Sequence, residues 1–232
     1  MRPYTDLTDL KLQLTRFEEN PAARAIGSDC PKDAETAVGI RRLCNLEQCI
    51  RTAVADRVPG DILETGVWRG GAMIFARAVL AELGVTDRRV WCCDSFEGLP
   101  TPDVDEFPVD LGDPHHTFEW LRVSLETVQT NFRRYGLLDD QVRFVKGWFR
   151  DTLPAIPVEQ LAVLRLDGDM YESTWQALFY LYPKLSPGGF LIVDDWSLAR
   201  ARQAVNDYRT RHKIVDQVRS IDPFSVFWRK SA

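Results

Sequence analysis

Apolar positions follow one spacing in the first quarter of the chain and another beyond it. Over residues 6–17, Leu7, Leu10, Leu14 and Phe17 fall on one face of a helix. A polar, proline-containing link runs from Asn20 to Asp33. A second helix is predicted over 36–56, with Ile40, Leu43, Cys44, Ile50 and Val54 inward. From there on, short apolar runs bounded by turn residues alternate with helical stretches. Asp61–Gly66 reads as a buried strand, 70–83 as a helix and Val90–Asp94 as a second strand. Residues 99–118, rich in Pro, Asp and His, read as an irregular insertion, and loops of that length in compact domains accompany function or disorder. A helix over 119–135 carries Leu121, Leu125, Val128, Phe132 and Tyr135 in register. Val142–Val145 and Leu161–Asp167 are the third and fourth strands. A helix over 173–182, a turn at Ser186-Pro187-Gly188-Gly189, a fifth strand Phe190–Asp194 and a helix over 198–211 follow. Short strands near 214–221 and 225–229, joined by Asp222-Pro223-Phe224, end the chain as a hairpin.

Strands alternating with helices imply βαβ units and a mostly parallel sheet, to which the terminal hairpin adds an antiparallel strand. Residues 1–57 read as an N-terminal helical arm or lid, and 58–232 as one α/β domain with a lid insertion near 99–118. The 232 residues are 45% hydrophobic and include seven tryptophans, which excludes whole-chain disorder. Twenty-nine basic against 34 acidic residues, a net charge of −5, argue against a nucleic-acid partner, because neutralising phosphates needs a basic face. No apolar run reaches the roughly 18 residues of a membrane span, and the N-terminus has no signal-peptide core, so a cytoplasmic protein without membrane contact is expected. The five cysteines, Cys30, Cys44, Cys49, Cys92 and Cys93, are odd in number and lack zinc spacing, which fits reduced thiols.

Ligands of an open parallel sheet bind outside the carboxyl ends of its strands. Acids stand at four of the five ends: Glu64, Asp94, Asp167 with Asp169, and Asp194 with Asp195. Gly66 permits a tight turn and close approach of a ligand, and a carboxylate at Asp94 suits a ribose diol. The dinucleotide fingerprint G-x-G-x-x-G is absent, with Trp68 where a second glycine would stand. A nucleoside cofactor carrying an amino acid fits better than one carrying a pyrophosphate. Asp167, Asp194 and Asp195, uncompensated in one crevice, would repel one another, and all-oxygen ligation with few protein ligands suits Mg²⁺. Asp169 stands where a general base is wanted. His115 and His116 sit in the polar insertion, where solvation is the simpler expectation.

The ordered set Leu63 through Gly71, Asp94-Ser95-Phe96-Glu97-Gly98, Leu166-Asp167-Gly168-Asp169 and Gly188-Gly189-Phe190 through Asp194-Asp195 resembles the macrocin O-methyltransferase (TylF-type) family, which methylates sugar hydroxyls in antibiotic biosynthesis. Gly136 through Phe144 and the terminal Trp228 through Ala232 extend the likeness over nearly all of 36–232. The resemblance implies a class I methyltransferase, a Rossmann-like seven-stranded sheet, with S-adenosylmethionine and Mg²⁺. By position, Glu64, Thr65 and Gly66 belong to the cofactor loop and Asp94 to the ribose. Ser95 and Trp148 flank the adenine, and Gly147 and Asp167 also bind the cofactor. Asp167, Asp194 and Asp195 are the metal ligands and Asp169 the base. The segments before residue 36 and at 101–118, which form the family's substrate lid, depart from the pattern.

The expected acceptor is a neutral sugar diol on a glycosylated small molecule, walled by Trp68, Phe96, Trp148 and Trp196. A homo-oligomer, dimer or tetramer, is expected, with the Leu7–Phe17 stripe either covering the crevice or, the preferred reading, docked on a neighbouring subunit. A catechol O-methyltransferase, a nucleotide-binding oxidoreductase and a non-catalytic binding protein are the rival readings.

Overall fold

The computed structural model describes residues 4–29 and 31–231. The chain begins with helices α1 (Leu7–Thr15), α2 (Pro21–Ile26) and α3 (Ile40–Ala55). Then follow β1 (Asp61–Thr65), α4 (Gly71–Glu82), β2 (Val90–Asp94), α5 (Leu125–Arg134), β3 (Val142–Lys146) and α6 (Phe149–Thr152). The chain ends with β4 (Leu161–Leu166), α7 (Tyr171–Leu181), β5 (Leu185–Val193), α8 (Ala199–Arg211), β6 (Arg219–Ser220) and β7 (Val226–Arg229).

The strands form one sheet in the order β3-β2-β1-β4-β5-β7-β6. The first five are parallel; β7 runs against β5, and β6 runs against β7 and so with the rest. This is the mostly parallel, seven-stranded sheet with an antiparallel C-terminal strand that the sequence predicts. After β3 the chain crosses back and lays β4 on the free side of β1. That reversal opens a crevice above the carboxyl ends of β1 and β4.

Alternation along each strand sends side chains to two cores. Ile62 and Cys92 join one with α1, α3, α4 and α5, while Leu63, Trp91 and Cys93 join the other with α7 and α8. Neighbours Cys92 and Cys93 therefore face opposite sides of the sheet, and burial raises the pKa of both thiols. Cys49 is buried too, its thiol pushed up to about 12, whereas Cys44, expected inward, is exposed. Cys30 lies outside the described residues.

Four local expectations change. The stripe Leu7, Leu10 and Leu14 is buried in its own chain against α3 and α4, so it is not left for a second subunit. The link after Asn20 contains α2, which Asn20 caps and Pro21 opens. The helix predicted over 119–135 begins at Leu125, where the Ser124 hydroxyl accepts from the Thr127 N–H, and Leu121 sits outside it in a single 3₁₀ turn. Ser186 to Gly189 lies inside β5, at a shift of register against β4, rather than in a separate turn. Among the described residues no helix is long and apolar enough to cross a membrane.

Candidate active site

A cleft of about 1150 Å³, mouth included, lies over the carboxyl ends of β1, β2, β3, β4 and β5. Its floor is the turn after β1. Gly66 has φ +82°, and a Cβ there would lie 1.7 Å from the carbonyl oxygen of Asp167. Only glycine lets β1 and β4 come this close beyond their paired residues. Glu64 lines the cleft, while Thr65, expected in the same loop, does not. Buried beneath that loop are two polar atoms without hydrogen-bond partners, Glu64 Oε2 and Thr65 Oγ1.

Asp94 ends β2 and ties the loops after β1 and β2 together. Its Oδ2 accepts from the Val67 N–H at 2.8 Å, and its Oδ1 from the Phe96 N–H at 2.7 Å. Burial raises its pKa, and these backbone donors pull it back. Ser95 donates to the Gly98 carbonyl at 2.6 Å, closing the loop beside it. Gly147 and Trp148 follow β3 onto the same wall.

Backbone strain gathers at these strand ends. Of six non-glycine residues with positive φ among the described residues, Trp68 (47°), Phe96 (57°) and Asp169 (60°) lie in the loops that leave β1, β2 and β4. For bulky Trp and Phe that conformation is costly, and such strain persists where the surroundings fix it and clusters at functional sites.

Asp167, Asp194 and Asp195 each bring a carboxylate oxygen within 4.8 Å of the others, the spacing of a metal centre. They are not uncompensated, as the sequence led us to expect. Arg165 donates to Glu64, to Asp167 at 2.7 Å and to Asp194, and Arg42 donates to Asp194 at 2.5 Å. Burial works against the charge of Asp194, but the two guanidiniums outweigh it and hold its pKa below the ordinary range. The rest of the cluster stays short of positive charge. Burial and the neighbouring acids push Asp195 well above that range and Asp167 to about 7, while burial lifts Glu64 to about 8. Asp169 donates its backbone N–H to Asp195 Oδ2 at 2.9 Å. Burial raises Asp169 to about 6, with His115 the largest influence drawing it down.

Two irregular segments wall the cleft, and the first of them, 36–38, is read from sequence as the start of a helix that begins only at Ile40. Residues 36–38 reach it from a strap whose neck is closed by Gly27 against Gly39 and whose flank Arg69 holds through the Lys32 and Ala34 carbonyls. The insertion is bolted down at two places. Asp110 accepts from the Tyr171 and Glu172 N–H groups, and Arg200 donates to Val109, Leu111 and Asp113. Buried Asp113 accepts from His115 Nδ1 at 2.7 Å, so His115 is anchored rather than simply solvated. Of the expected aromatic walls, Trp68 and Trp148 line the cleft. Phe96 instead packs on Phe144, and Trp196 on the core beside α8. Trp120 and Leu121, read from sequence as helical, join the wall, and the indole of Trp68 donates to the Trp120 carbonyl at 2.9 Å.

A family model described as macrocin-O-methyltransferase (TylF) matches residues 5–230. The chain is 50% identical over 232 residues to mycinamicin III 3''-O-methyltransferase of Micromonospora griseorubida, covering 99% of this chain and 91% of the relative. It is 53% identical over 227 residues to 8-demethyl-8-(2,3-dimethoxy-alpha-L-rhamnosyl)-tetracenomycin-C 4'-O-methyltransferase of Streptomyces olivaceus, covering 97% and 87%. Among solved structures, that of the O-methyltransferase NovP aligns with a TM-score of 0.95 at 43% identity, covering 97% of this chain and 98% of the other.

Proposed function

The chain belongs to the macrocin-O-methyltransferase family, and from that premise we propose that it methylates a sugar hydroxyl of a glycosylated natural product, using S-adenosylmethionine and Mg²⁺. The observation that carries this reading is the meeting of three aspartates at ligand spacing with the Gly66 turn in one cleft. The residues fit both groups. The orphaned Glu64 Oε2 is a buried acceptor awaiting a donor such as an ammonium, and it shares the cleft with the Gly66 turn. The aspartates form an all-oxygen donor set in which, with Glu64, acids outnumber the two arginines, which suits a hard divalent cation. When bound, S-adenosylmethionine supplies an electrophilic methyl group and Mg²⁺ a Lewis acid for the acceptor's oxygens.

Glu64, Asp94, Ser95 and Trp148 would hold the methyl donor, and Asp167, Asp194 and Asp195 the cation. Asp169 takes the proton of the acceptor hydroxyl onto its carboxylate. The strand-end loops hold these groups in place, so alignment is arranged before the acceptor arrives. Trp68, Trp120 and Leu121 receive the apolar body of the acceptor, and the surplus of acids disfavours phosphorylated ones. The names of the two relatives specify different hydroxyls, 3'' and 4', so the residues shared with both do not fix the position methylated.

Calorimetry tests the donor. S-adenosylmethionine is expected to bind, and Asp94→Ala to weaken binding by about 1–3 kcal/mol, the scale for hydrogen bonds to a charged group. Binding of NADH with no response to S-adenosylmethionine would refute the donor assignment. Exhaustive chelation is expected to abolish turnover, and Mg²⁺ to restore it; full turnover after chelation would remove the metal from the reading.

A further inference from the structure

Arg165 stands inside an apolar strand, between Leu164 and Leu166, and is only 1% exposed. Burying a guanidinium is costly, and buried ion pairs are often no more stabilising than apolar residues of the same volume. Such a group in the centre of a sheet calls for a reason other than stability.

Its surroundings supply one. In the β1–β4 ladder Arg165 is the register partner of Glu64, and in the β4–β5 ladder it precedes Leu166, whose partner Val193 leads directly into Asp194. Its two terminal nitrogens span these strands. Nη1 donates to Glu64 Oε1 and, at 2.7 Å, to Asp167 Oδ2, while Nη2 donates to Asp194 Oδ1. Arg42 of α3 takes the other oxygen of Asp194 at 2.5 Å. Arg42 is itself fixed by Asp222 at 2.7 Å and by the Ile26 carbonyl at 3.0 Å. Asp194 is thus gripped at both oxygens and Asp167 at one.

We propose that Arg165, assisted by Arg42, is the positioning residue of the metal centre: its planar fork fixes the separation and orientation of Asp167 and Asp194 before the cation enters. The proposal rests on the metal reading above. It differs from simple charge compensation in what it asks of the side chain. Compensation needs only a positive charge, which lysine supplies. Positioning needs the fork, which lysine lacks. Charge alone also works against a cation, since each guanidinium repels it, so any loss of metal affinity on weakening the fork reports geometry.

Mn²⁺ titration of the full-length protein, followed by the electron paramagnetic resonance signal of the free ion, separates these roles without measuring turnover. Wild-type protein is expected to bind Mn²⁺. R165K is expected to weaken binding by roughly 10–100-fold, the usual loss when a residue behind a metal ligand is changed. R42K is expected to weaken it less. Thermal unfolding establishes that each variant is folded. Should R165K fail to fold, R42K decides: weaker binding supports the proposal and unchanged binding overturns it. Folded R165K with wild-type Mn²⁺ affinity would likewise overturn it while leaving the metal reading intact. Absence of Mn²⁺ binding by the wild type would overturn the metal reading, and this proposal with it.

Discussion

Asp169→Asn is expected to lower kcat by about 10²–10⁴, the usual contribution of a positioned general base, with cofactor affinity nearly unchanged. The substitution keeps the shape of the side chain and removes its basic oxygen. It also suits the backbone, because Asp169 has φ +60°, a conformation that Asn tolerates as Asp does. The bond from the Asp169 N–H to Asp195 survives, since the backbone makes it. What disappears is a carboxylate that burial has raised to about 6, a proton affinity suited to work near neutral pH. Steady-state and single-turnover kinetics with a glycoside acceptor check the expectation. An unchanged kcat, measured where chemistry limits the rate, would move the proton to another group. His115, whose Nδ1 is held by Asp113, is then the next candidate.

Gly66→Ala is expected to be the most damaging single substitution in the loop after β1. The added Cβ would lie 1.7 Å from the Asp167 carbonyl oxygen and 2.7 Å from its carbon, backbone atoms that cannot swing aside. Alanine at φ +82° adds strain of its own. Together the two effects cost about 2–4 kcal/mol, from left-handed strain and overpacking combined. For a chain of this size that lowers Tm by roughly 5–15 °C. Relief by spreading β1 from β4 would also move Asp167 away from Asp94, so S-adenosylmethionine binding is expected to be lost. Differential scanning calorimetry with and without the cofactor checks both parts. An unchanged Tm with normal binding would show that the close approach of β1 and β4 is not required.

The centre of the sheet is legible because β1, β2, β4 and β5 are short apolar runs buried on both faces, as Leu63 and Ile62 or Trp91 and Cys92 show. The acids at the strand ends could be placed for the same reason, since topology carries each strand end to one edge of the sheet. What was missed lies where periodicity says nothing. The strap before α3 has no repeat up to residue 35, and its last residues, 36–39, are read into the helix that follows, although Asn20-Pro21 and Gly27 are the start and stop signals of the helix before it. Ser124 marks the true start of α5, but Leu121 happens to continue its apolar register and hides the break. Trp120, 48% exposed, was therefore read into a helix rather than onto the cleft wall. The two arginines behind the aspartates were overlooked for different reasons. An arginine inside the run Leu161–Leu166 was a visible signal, since charged residues are almost never fully buried unless paired. Arg42, by contrast, meets Asp194 across 152 residues of sequence, which no local pattern reveals.

The central claim, methyl transfer to a sugar hydroxyl, is tested most directly by mass spectrometry of acceptors incubated with the protein, S-adenosylmethionine and Mg²⁺. The panel contains neutral glycosides of apolar natural products with free vicinal hydroxyls, catechols, and phosphorylated sugars. The account predicts the gain of one methyl on the sugar of a neutral glycoside, lost on chelation. Methylation of catechols or phosphorylated sugars in preference to every neutral glycoside would contradict it.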